Sequence, residues 1–291
     1  MHTLGWIGLG HMGEPMAMNL LQAGYKVNVY NRSQGKTTSL IEAGAVNLHS
    51  PKEIAEQSDI IFTMLSNADA VQSVLTQDNG VLEGIQSGKV VVDMSTISPE
   101  DSSSFAKLVS EKGGIYIDAP VSGSVGPAKA GQLVILAGGD ERAVEMCQPY
   151  FNILGKETIY FGSNGKGSSA KLAINLLLGI IGQGIGETLL FADRSGLDRE
   201  KVLDMISFSA VNTGLFQGKK EMYRKEEFPS AFMLELMAKD LGLIKAEAER
   251  METTLPLAEV TNTTYRSAKE NGKAQLDMAA VYLELKDKNK K

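Results

Sequence analysis

The sequence predicts an α/β chain: a doubly wound, mostly parallel sheet covered by helices on both faces, followed by an all-helical C-terminal domain with one long helix. Three observations predict it. Runs such as Asp59-Ile60-Ile61-Phe62-Thr63-Met64-Leu65 and Lys89-Val90-Val91-Val92-Asp93-Met94 are apolar without alternation. Strands buried on both faces read this way, and helix-patterned stretches separate them. A glycine-rich turn joins the first strand to the first helix. From Gly165 onward no convincing strand follows and only helical periodicity continues.

Each element has a local reason. Leu4-Gly5-Trp6-Ile7 is a short apolar strand. It meets the turn Gly8-Leu9-Gly10-His11-Met12-Gly13, and Glu14 to Leu20 continues as a helix. In a dinucleotide-binding turn of this spacing, Gly8 permits the tight bend, Gly10 lets a pyrophosphate approach the backbone, and Gly13 lets helix and strand pack closely. The N–H groups at the new helix terminus then face the phosphates. A second strand spans 25–31, a helix carries Leu40 and Ile41, and Ala45-Val46-Asn47 precedes a short helix from Pro51 to Gln57. Pro99 opens a helix to about Lys112. Ile115 to Asp118, Gln132 to Gly139 and Thr158 to Phe161 complete the sheet, making this half a Rossmann-type domain.

Helices are expected at 166–194, 198–209, 231–250, 256–271 and 277–287. The first is about 29 residues, or about 43 Å, long. It could serve as interdomain spine and subunit interface, and Gly179, Gly182, Gly184 and Gly186 should let neighbouring helices approach. Its apolar stretch from Leu172 to Gly182, about 11 residues, is too short to cross a bilayer and reads as a helix buried on most sides. The division falls between Gly162 and Gly165, giving a cofactor domain at 1–163 and a helical domain at 164–291. The lysine-rich end from Lys286 reads as a frayed tail.

Composition narrows the function classes. The chain of 291 residues is 43% hydrophobic with a net charge of −6, which suits a globular protein with a sizeable core. It argues against nucleic acid as an obligate partner, and an anionic substrate would need local positive groups. The one cysteine, Cys147, excludes an internal disulfide and fits a reducing, cytoplasmic setting. It lies in a helix-like run and reads as a small buried hydrophobe. The chain runs straight into a strand, so no signal peptide is visible, and no membrane partner is expected.

The end of the second strand selects the nucleotide. NAD-preferring sites carry an acidic residue there. This chain has Asn31, Arg32 and Ser33, with Lys36 a turn later. No carboxylate repels a 2′-phosphate, and Arg32 can clamp one in bidentate fashion. The expected cofactor is NADP(H).

The three histidines, His2, His11 and His49, all lie in the first fifty residues. No histidine is therefore available to a second-domain site, and no zinc motif is present, so no metal is expected. The candidate proton donor is Lys171, at the start of the long helix, with Asn175 one turn on along the same face. An ammonium beside an amide can hydrogen-bond a carbonyl oxygen and stabilise charge developing on it. On residue type alone, a lysine opening an apolar helix is more often an interface or snorkelling residue.

Four motifs in order change that weight: Gly8 to Leu20, Asp118-Ala119-Pro120-Val121-Ser122-Gly123-Ser124, Gly165-x-Gly167-x-x-x-Lys171-x-x-x-Asn175, and Lys239-Asp240-Leu241. With them the whole chain resembles the β-hydroxyacid dehydrogenases, a family that includes 3-hydroxyisobutyrate dehydrogenases, tartronate semialdehyde reductases and glyoxylate/succinic semialdehyde reductases. The resemblance implies that Lys171 is the catalytic lysine and Asn175 its amide partner. Ser122 and Gly123 would anchor a substrate carboxylate, and Thr96 would lie beside the nicotinamide. Met64 and Leu65, with Ser66 after them, would support the cofactor, and Lys239 would contact it. Asp240 would orient Lys171. Ser66 and Ser124 depart from the proline and glycine of many members, and together with Asn31-Arg32-Ser33 they resemble the glyoxylate/succinic semialdehyde reductase group. Phe232 resembles an aromatic wall of that group's pocket; a core phenylalanine is the equal alternative.

The implied reaction is NADPH-dependent reduction of a small carboxylate-bearing aldehyde to its hydroxy acid, by a homodimer or homotetramer. A 3-hydroxyisobutyrate or tartronate semialdehyde oxidoreductase is the alternative. A non-catalytic NADP-binding scaffold and an imine reductase are further rivals, and the presence of Lys171 argues against both.

Overall fold

The computed structural model describes residues 2–33, 35 and 37–290. Lys36 lies outside the described residues. Two compact units are present, Met1–Lys171 and Leu172–Lys291.

The first unit alternates strand and helix. Its elements are β1 (Leu4–Ile7), α1 (Gly13–Gln22), β2 (Val27–Tyr30), α2 (Thr38–Glu42), β3 (Val46–Asn47), α3 (Pro51–Gln57), β4 (Ile60–Thr63), α4 (Ala68–Thr76), α5 (Val81–Gly84), β5 (Val90–Asp93), α6 (Pro99–Glu111) and β6 (Ile115–Asp118). There follow β7 (Val121–Ser122), α7 (Val125–Lys129), β8 (Leu133–Gly139), α8 (Glu141–Leu154) and β9 (Gly155–Tyr160). Among the described residues nine strands form one sheet, in the order β3-β2-β1-β4-β5-β6-β8-β7, with β9 also pairing β8. β1 to β6 are mutually parallel. β8 then runs antiparallel to β6 and β7, and β9 parallel to β8. The order reverses between β1 and β4, which opens a crevice at the carboxyl ends of these strands, where ligands of such sheets bind.

The two-residue period of a strand sends alternate side chains to opposite faces. On one face Trp6, Phe62 and Ile117 pack with Met16 and Leu20 of α1 and with Cys147 and Phe151 of α8. Trp6 stacks on Phe62, ring centroids 5.3 Å apart. On the other, Ile61, Val91 and Tyr116 meet Ile54, Leu75 and Phe105 from α3, α4 and α6. Cys147 is fully buried, and burial pushes its thiol up to about 12. It packs as a hydrophobe and does not titrate near neutrality.

The second unit is helical: α9 (Lys166–Arg194), whose first turn belongs to the sheet unit, then α10 (Arg199–Phe208), α11 (Gly214–Lys225), α12 (Leu234–Arg250), α13 (Pro256–Ala268) and α14 (Val281–Lys288). The sequence places the division at 163/164, in the loop before α9; the boundary along the chain falls eight residues later, after Lys171 inside that helix, because Asp118 in β6 holds the helix's first turn within the sheet unit. The helical core is built from Leu203, Phe216, Met237, Leu241, Tyr265 and Tyr282, among others. α9 glycines admit close neighbours. A Cβ on Gly182 would stand 2.6 Å from Tyr265 Oη, and one on Gly186 would stand 3.1 Å from Leu285; Gly184 faces open space.

Three sequence expectations change. α9 is not buried on most sides: only 39% of its apolar window is covered, and Ile174, Leu177 and Phe191 are 41%, 51% and 74% exposed. By length and composition alone it could span a membrane. Its uninterrupted 29 residues carry apolar side chains all round, and the other helices of this chain cover only part of them. The chain end is ordered further than expected. α14 continues to Lys288, and Lys286 pairs with Glu226 at 2.6 Å. α11 was not expected; Thr213 caps it by accepting the Phe216 N–H, and its two glycines and charged surface obscure the helical period.

Candidate functional site

The glycine turn leaves β1 at the crevice. Gly8 has φ of 98°, a region open to glycine. A Cβ there would overlap the Met64 carbonyl of the neighbouring strand end, and one on Gly13 would overlap the Gly8 carbonyl. Gly10 is exposed, and a Cβ on it would meet nothing within 4 Å. The crowded glycines serve the turn; the open one leaves bare backbone. α1 begins without a side-chain cap at Met12, whereas α3, α6 and α8 are capped by Ser50, Ser98 and Asp140. An uncapped helix terminus offers N–H groups and positive dipole to an anion. These observations fit a dinucleotide pyrophosphate. His11 lies exposed at the turn, beside a surface cleft of about 450 Å³ shared with Glu14, Val125 and Lys129. Within the same turn, the Leu9 side chain is fully buried in the core and its N–H is donated to Asn31 Oδ1 at 3.0 Å.

At the end of β2 a second cleft, about 420 Å³, is lined by Asn31, Arg32, Ser33, Thr37 and His49 among others. None of the described lining residues is acidic. Arg32 and Ser33 are exposed to it. Asn31 holds the glycine turn through Oδ1 and the Ser33 carbonyl through Nδ2 at 2.9 Å. Thr37 and His49 were not singled out from the sequence. His49 is placed by its N–H, which donates to Glu53 Oε2 at 3.0 Å, at the head of α3.

Further along the crevice, Asp93 ends β5 almost fully buried. It accepts from Thr63 Oγ1 at 2.7 Å, Tyr116 Oη at 3.0 Å and the Ser95 N–H at 3.1 Å. Ser95 Oγ in turn accepts the Leu65 N–H at 2.9 Å. Burial pushes the Asp93 carboxyl up, against these hydrogen bonds. The network ties the loop carrying Met64, Leu65 and Ser66 to the one carrying Thr96. An aspartate ending an all-apolar strand was the available signal, since a buried carboxylate must find donors.

Asp118 occupies the same level of the adjacent strand, in register with Asp93. It too is buried. Oδ1 accepts the Gly165 N–H and Oδ2 the Ser168 N–H, both at 2.9 Å. Desolvation raises its carboxyl, opposed by these two bonds and by Asn164. Lys171 follows one turn later and is only 8% exposed. Ser122 ends β7 half-buried, and Gly123 beside it is exposed.

In the helical unit, Asn175 donates Nδ2 to Asp240 Oδ2 at 2.7 Å, and both are almost fully buried. A carboxylate only accepts, which fixes the orientation of the amide. Lys239 Nζ lies 3.1 Å from the other oxygen, Oδ1. Phe232 is half-buried against the helical core. Its N–H, with that of Ala231, donates to Asp277 Oδ2, while Lys219 Nζ and the Ala279 N–H donate to Oδ1. Asp277 and Lys219 were not assigned from the sequence; a lysine next to a glycine in a charged helix gives no local sign of a partner 58 residues away.

Comparisons with known proteins match both parts of the chain to known families. Residues 3–162 match the family described as the NAD binding domain of 6-phosphogluconate dehydrogenase. Residues 165–285 match that described as NAD-binding of NADP-dependent 3-hydroxyisobutyrate dehydrogenase. Glyoxylate/succinic semialdehyde reductase 1 of Arabidopsis thaliana is 38% identical over 278 residues, 96% of each chain. The 2-hydroxy-3-oxopropionate reductase of Escherichia coli is 36% identical over 96% of this chain and 95% of its own. The structure of a Mycobacterium tuberculosis 3-hydroxyisobutyrate dehydrogenase with L-serine superposes with a TM-score of 0.89 at 28% identity, covering 98% of this chain and 99% of the other.

Proposed function

The chain belongs to the β-hydroxyacid dehydrogenase family of NAD(P)-dependent oxidoreductases, and from that premise we propose that it uses NADPH to reduce a small carboxylate-bearing aldehyde, glyoxylate or succinic semialdehyde. The carrying observation is Lys171, a nearly buried lysine in the second turn of α9, with the Asn175–Asp240 pair one turn along. A buried ammonium survives only with partners, so a lysine kept there has a task beyond solubility.

The cofactor, when bound, supplies hydride to the aldehyde carbon. The residues of the chain do the rest. The open backbone at Gly10 and the uncapped start of α1 receive the pyrophosphate, with His11, Met12 and the Met64-Leu65-Ser66 loop around it. Arg32 and Ser33, with the Thr37 hydroxyl, meet the 2′-phosphate. The absence of an acidic residue among those lining that cleft supports NADPH over NADH. Thr96 stands at the nicotinamide end and Lys239 completes the cofactor contacts. Ser122 and the Gly123 N–H hold the substrate carboxylate. Lys171 hydrogen-bonds the carbonyl oxygen and gives up its proton as negative charge develops there. Asn175, its orientation set by Asp240, stabilises the same oxygen, and Phe232 bounds the pocket.

The identity to the Arabidopsis reductase supports glyoxylate or succinic semialdehyde. The nearly equal identity to the Escherichia coli enzyme favours, as a second reading, 2-hydroxy-3-oxopropionate (tartronate semialdehyde). A homodimer or homotetramer is part of the proposal; the exposed Ile174, Leu177 and Phe191 offer apolar surface that a second copy would cover. The proposed compartment is the cytoplasm, which suits a chain whose lone cysteine is buried and reduced.

The test is a kcat/KM panel over glyoxylate, succinic semialdehyde, methylmalonate semialdehyde and tartronate semialdehyde with both nicotinamides, run beside Lys171→Ala. The substitution should lower kcat by about 10²- to 10⁴-fold, the worth of a positioned general acid. NADPH binding should stay nearly intact. A variant keeping most of its turnover overturns the assignment.

A further inference from the structure

The motif Gly165-x-Gly167-x-x-x-Lys171 has a physical explanation in the strand beneath it. Gly165 takes φ of 87°. A Cβ on Gly167 would overlap the Leu136 carbonyl and stand 2.5 Å from the Asp118 carbonyl, and one on Gly138 would stand 2.7 Å from the Gly167 nitrogen. The start of α9 therefore lies backbone against backbone on β6 and β8. At that contact the Asp118 carboxylate takes one helix N–H on each oxygen. A cap is ordinarily supplied by the residue just before the helix. Here it comes from a strand 47 and 50 residues earlier in the chain, and a carboxylate is held in the interior to supply it.

We infer that Asp118 is a positioning residue for Lys171: by gripping the Gly165 and Ser168 N–H groups it fixes the height and rotation of α9's first turn, and so where the lysine's ammonium stands. Lys171 is three residues past Ser168, close to one turn of a rigid helix, about 4.5 Å along its axis. A slip of one residue in that seating would swing the side chain through about 100°. The glycines at 138 and 167 are the room this grip requires. Asp93, at the same level of the neighbouring strand, serves the cofactor loops instead, so the two aspartates divide the work. The inference rests on Lys171 being the proton donor.

The experiment compares full-length Asp118→Asn, Gly167→Ala and Lys171→Met. Asparagine offers one acceptor oxygen and turns an N–H pair toward a backbone donor, so one of the two bonds is lost. Misplacement of about 1 Å can cost 10²-fold in rate, so kcat per NADPH-binding site should fall roughly 10- to 100-fold. The NADPH Kd, read by nicotinamide fluorescence, should stay within about threefold. The solvent deuterium isotope effect on kcat should rise as proton delivery becomes limiting, a change that a smaller folded fraction does not produce. Gly167→Ala wedges a methyl into the same contact, 3.0 Å from Asp118 Oδ2, while leaving the carboxylate chemically unchanged; it should give the same signature, which keeps the test valid if Asp118→Asn does not fold. The inference is overturned if a folded variant keeps kcat within about twofold, or if lost rate follows lost NADPH-binding sites with an unchanged isotope effect. If Lys171→Met itself retains turnover, the proposed reaction fails; if Lys171→Met is inactive and the other two are normal, only the role of Asp118 fails.

Discussion

Two alanine substitutions in the glycine turn should have opposite consequences. Gly10 has no positive φ, and a Cβ there meets no atom within 4 Å. Gly10→Ala therefore fits without strain and removes freedom from the unfolded chain, for a gain of about 0.4–1 kcal/mol. That corresponds to an unchanged or slightly raised Tm, by roughly 1–4 °C. The same methyl stands where a pyrophosphate would lie against the backbone. Loss of even one charge-assisted hydrogen bond costs about 1.5–3 kcal/mol, so the NADPH Kd should rise roughly 10- to 150-fold. Gly13→Ala is the contrast. Its Cβ would overlap the Gly8 carbonyl and stand 3.0 Å from Trp6 Nε1, both held by the sheet. Overpacking of this kind costs about 1–3 kcal/mol, or roughly 2–12 °C in Tm, and binding should fall with the distorted turn. The assays are thermal melting and NADPH fluorescence titration. A Gly10→Ala protein that binds NADPH within about threefold of the parent refutes the pyrophosphate placement. One that melts more than about 5 °C lower refutes the reading of open space.

Other outcomes follow from the same geometry. Arg32→Asp reverses a charge at the exposed mouth of the second cleft; with water and salt screening, the swing against a dianionic phosphate is about 2 kcal/mol, so the NADPH Kd should rise about 30-fold and that for NADH little, and equal changes would contradict the clamp. Glu284 is a pH handle on the helical unit. Burial pulls its carboxyl up, but hydrogen bonds from Ser267, Lys273, Asn271 and Lys288 outweigh that and hold it below its ordinary 4.5. A carboxyl lowered by folding contributes stability above its unfolded value that is lost as pH falls through the folded one. Urea titrations at about pH 6 and about pH 3.5 should show a smaller loss for Glu284→Gln than for the parent; parallel losses would remove the assignment.

Much of the first unit was legible because parallel strands buried on both faces leave unbroken apolar runs, as at Ile60–Thr63 and Val90–Asp93. The direction of β8 was not, since a run such as Leu133–Gly139 reads alike whether its partner is parallel or antiparallel. α9 was readable to its ends, but not its exposure, because periodicity tells which residues are apolar and not what covers them. The glycine turn could be read residue by residue, since its geometry is local. Asp118 could not. Its partners lie about one sixth of the chain away, and a side chain gripping distant backbone leaves no spacing to find. Asn175 and Asp240 were each named from the motifs, but their bond to one another, like that of Lys219 to Asp277, was hidden for the same reason.

If the proposed preference for NADPH holds, Asn31 constrains any redesign toward the non-phosphorylated nicotinamide. The habitual exchange installs an acid at the end of the second strand, to bond the adenosine ribose. Here that side chain is already employed twice, receiving the Leu9 N–H and donating to the Ser33 carbonyl. Aspartate would preserve the first bond and set an anionic oxygen against the carbonyl in the second, loosening the loop that both dinucleotides require. An engineer would do better to leave position 31 alone and begin with its outward-facing neighbours, Arg32 and Ser33.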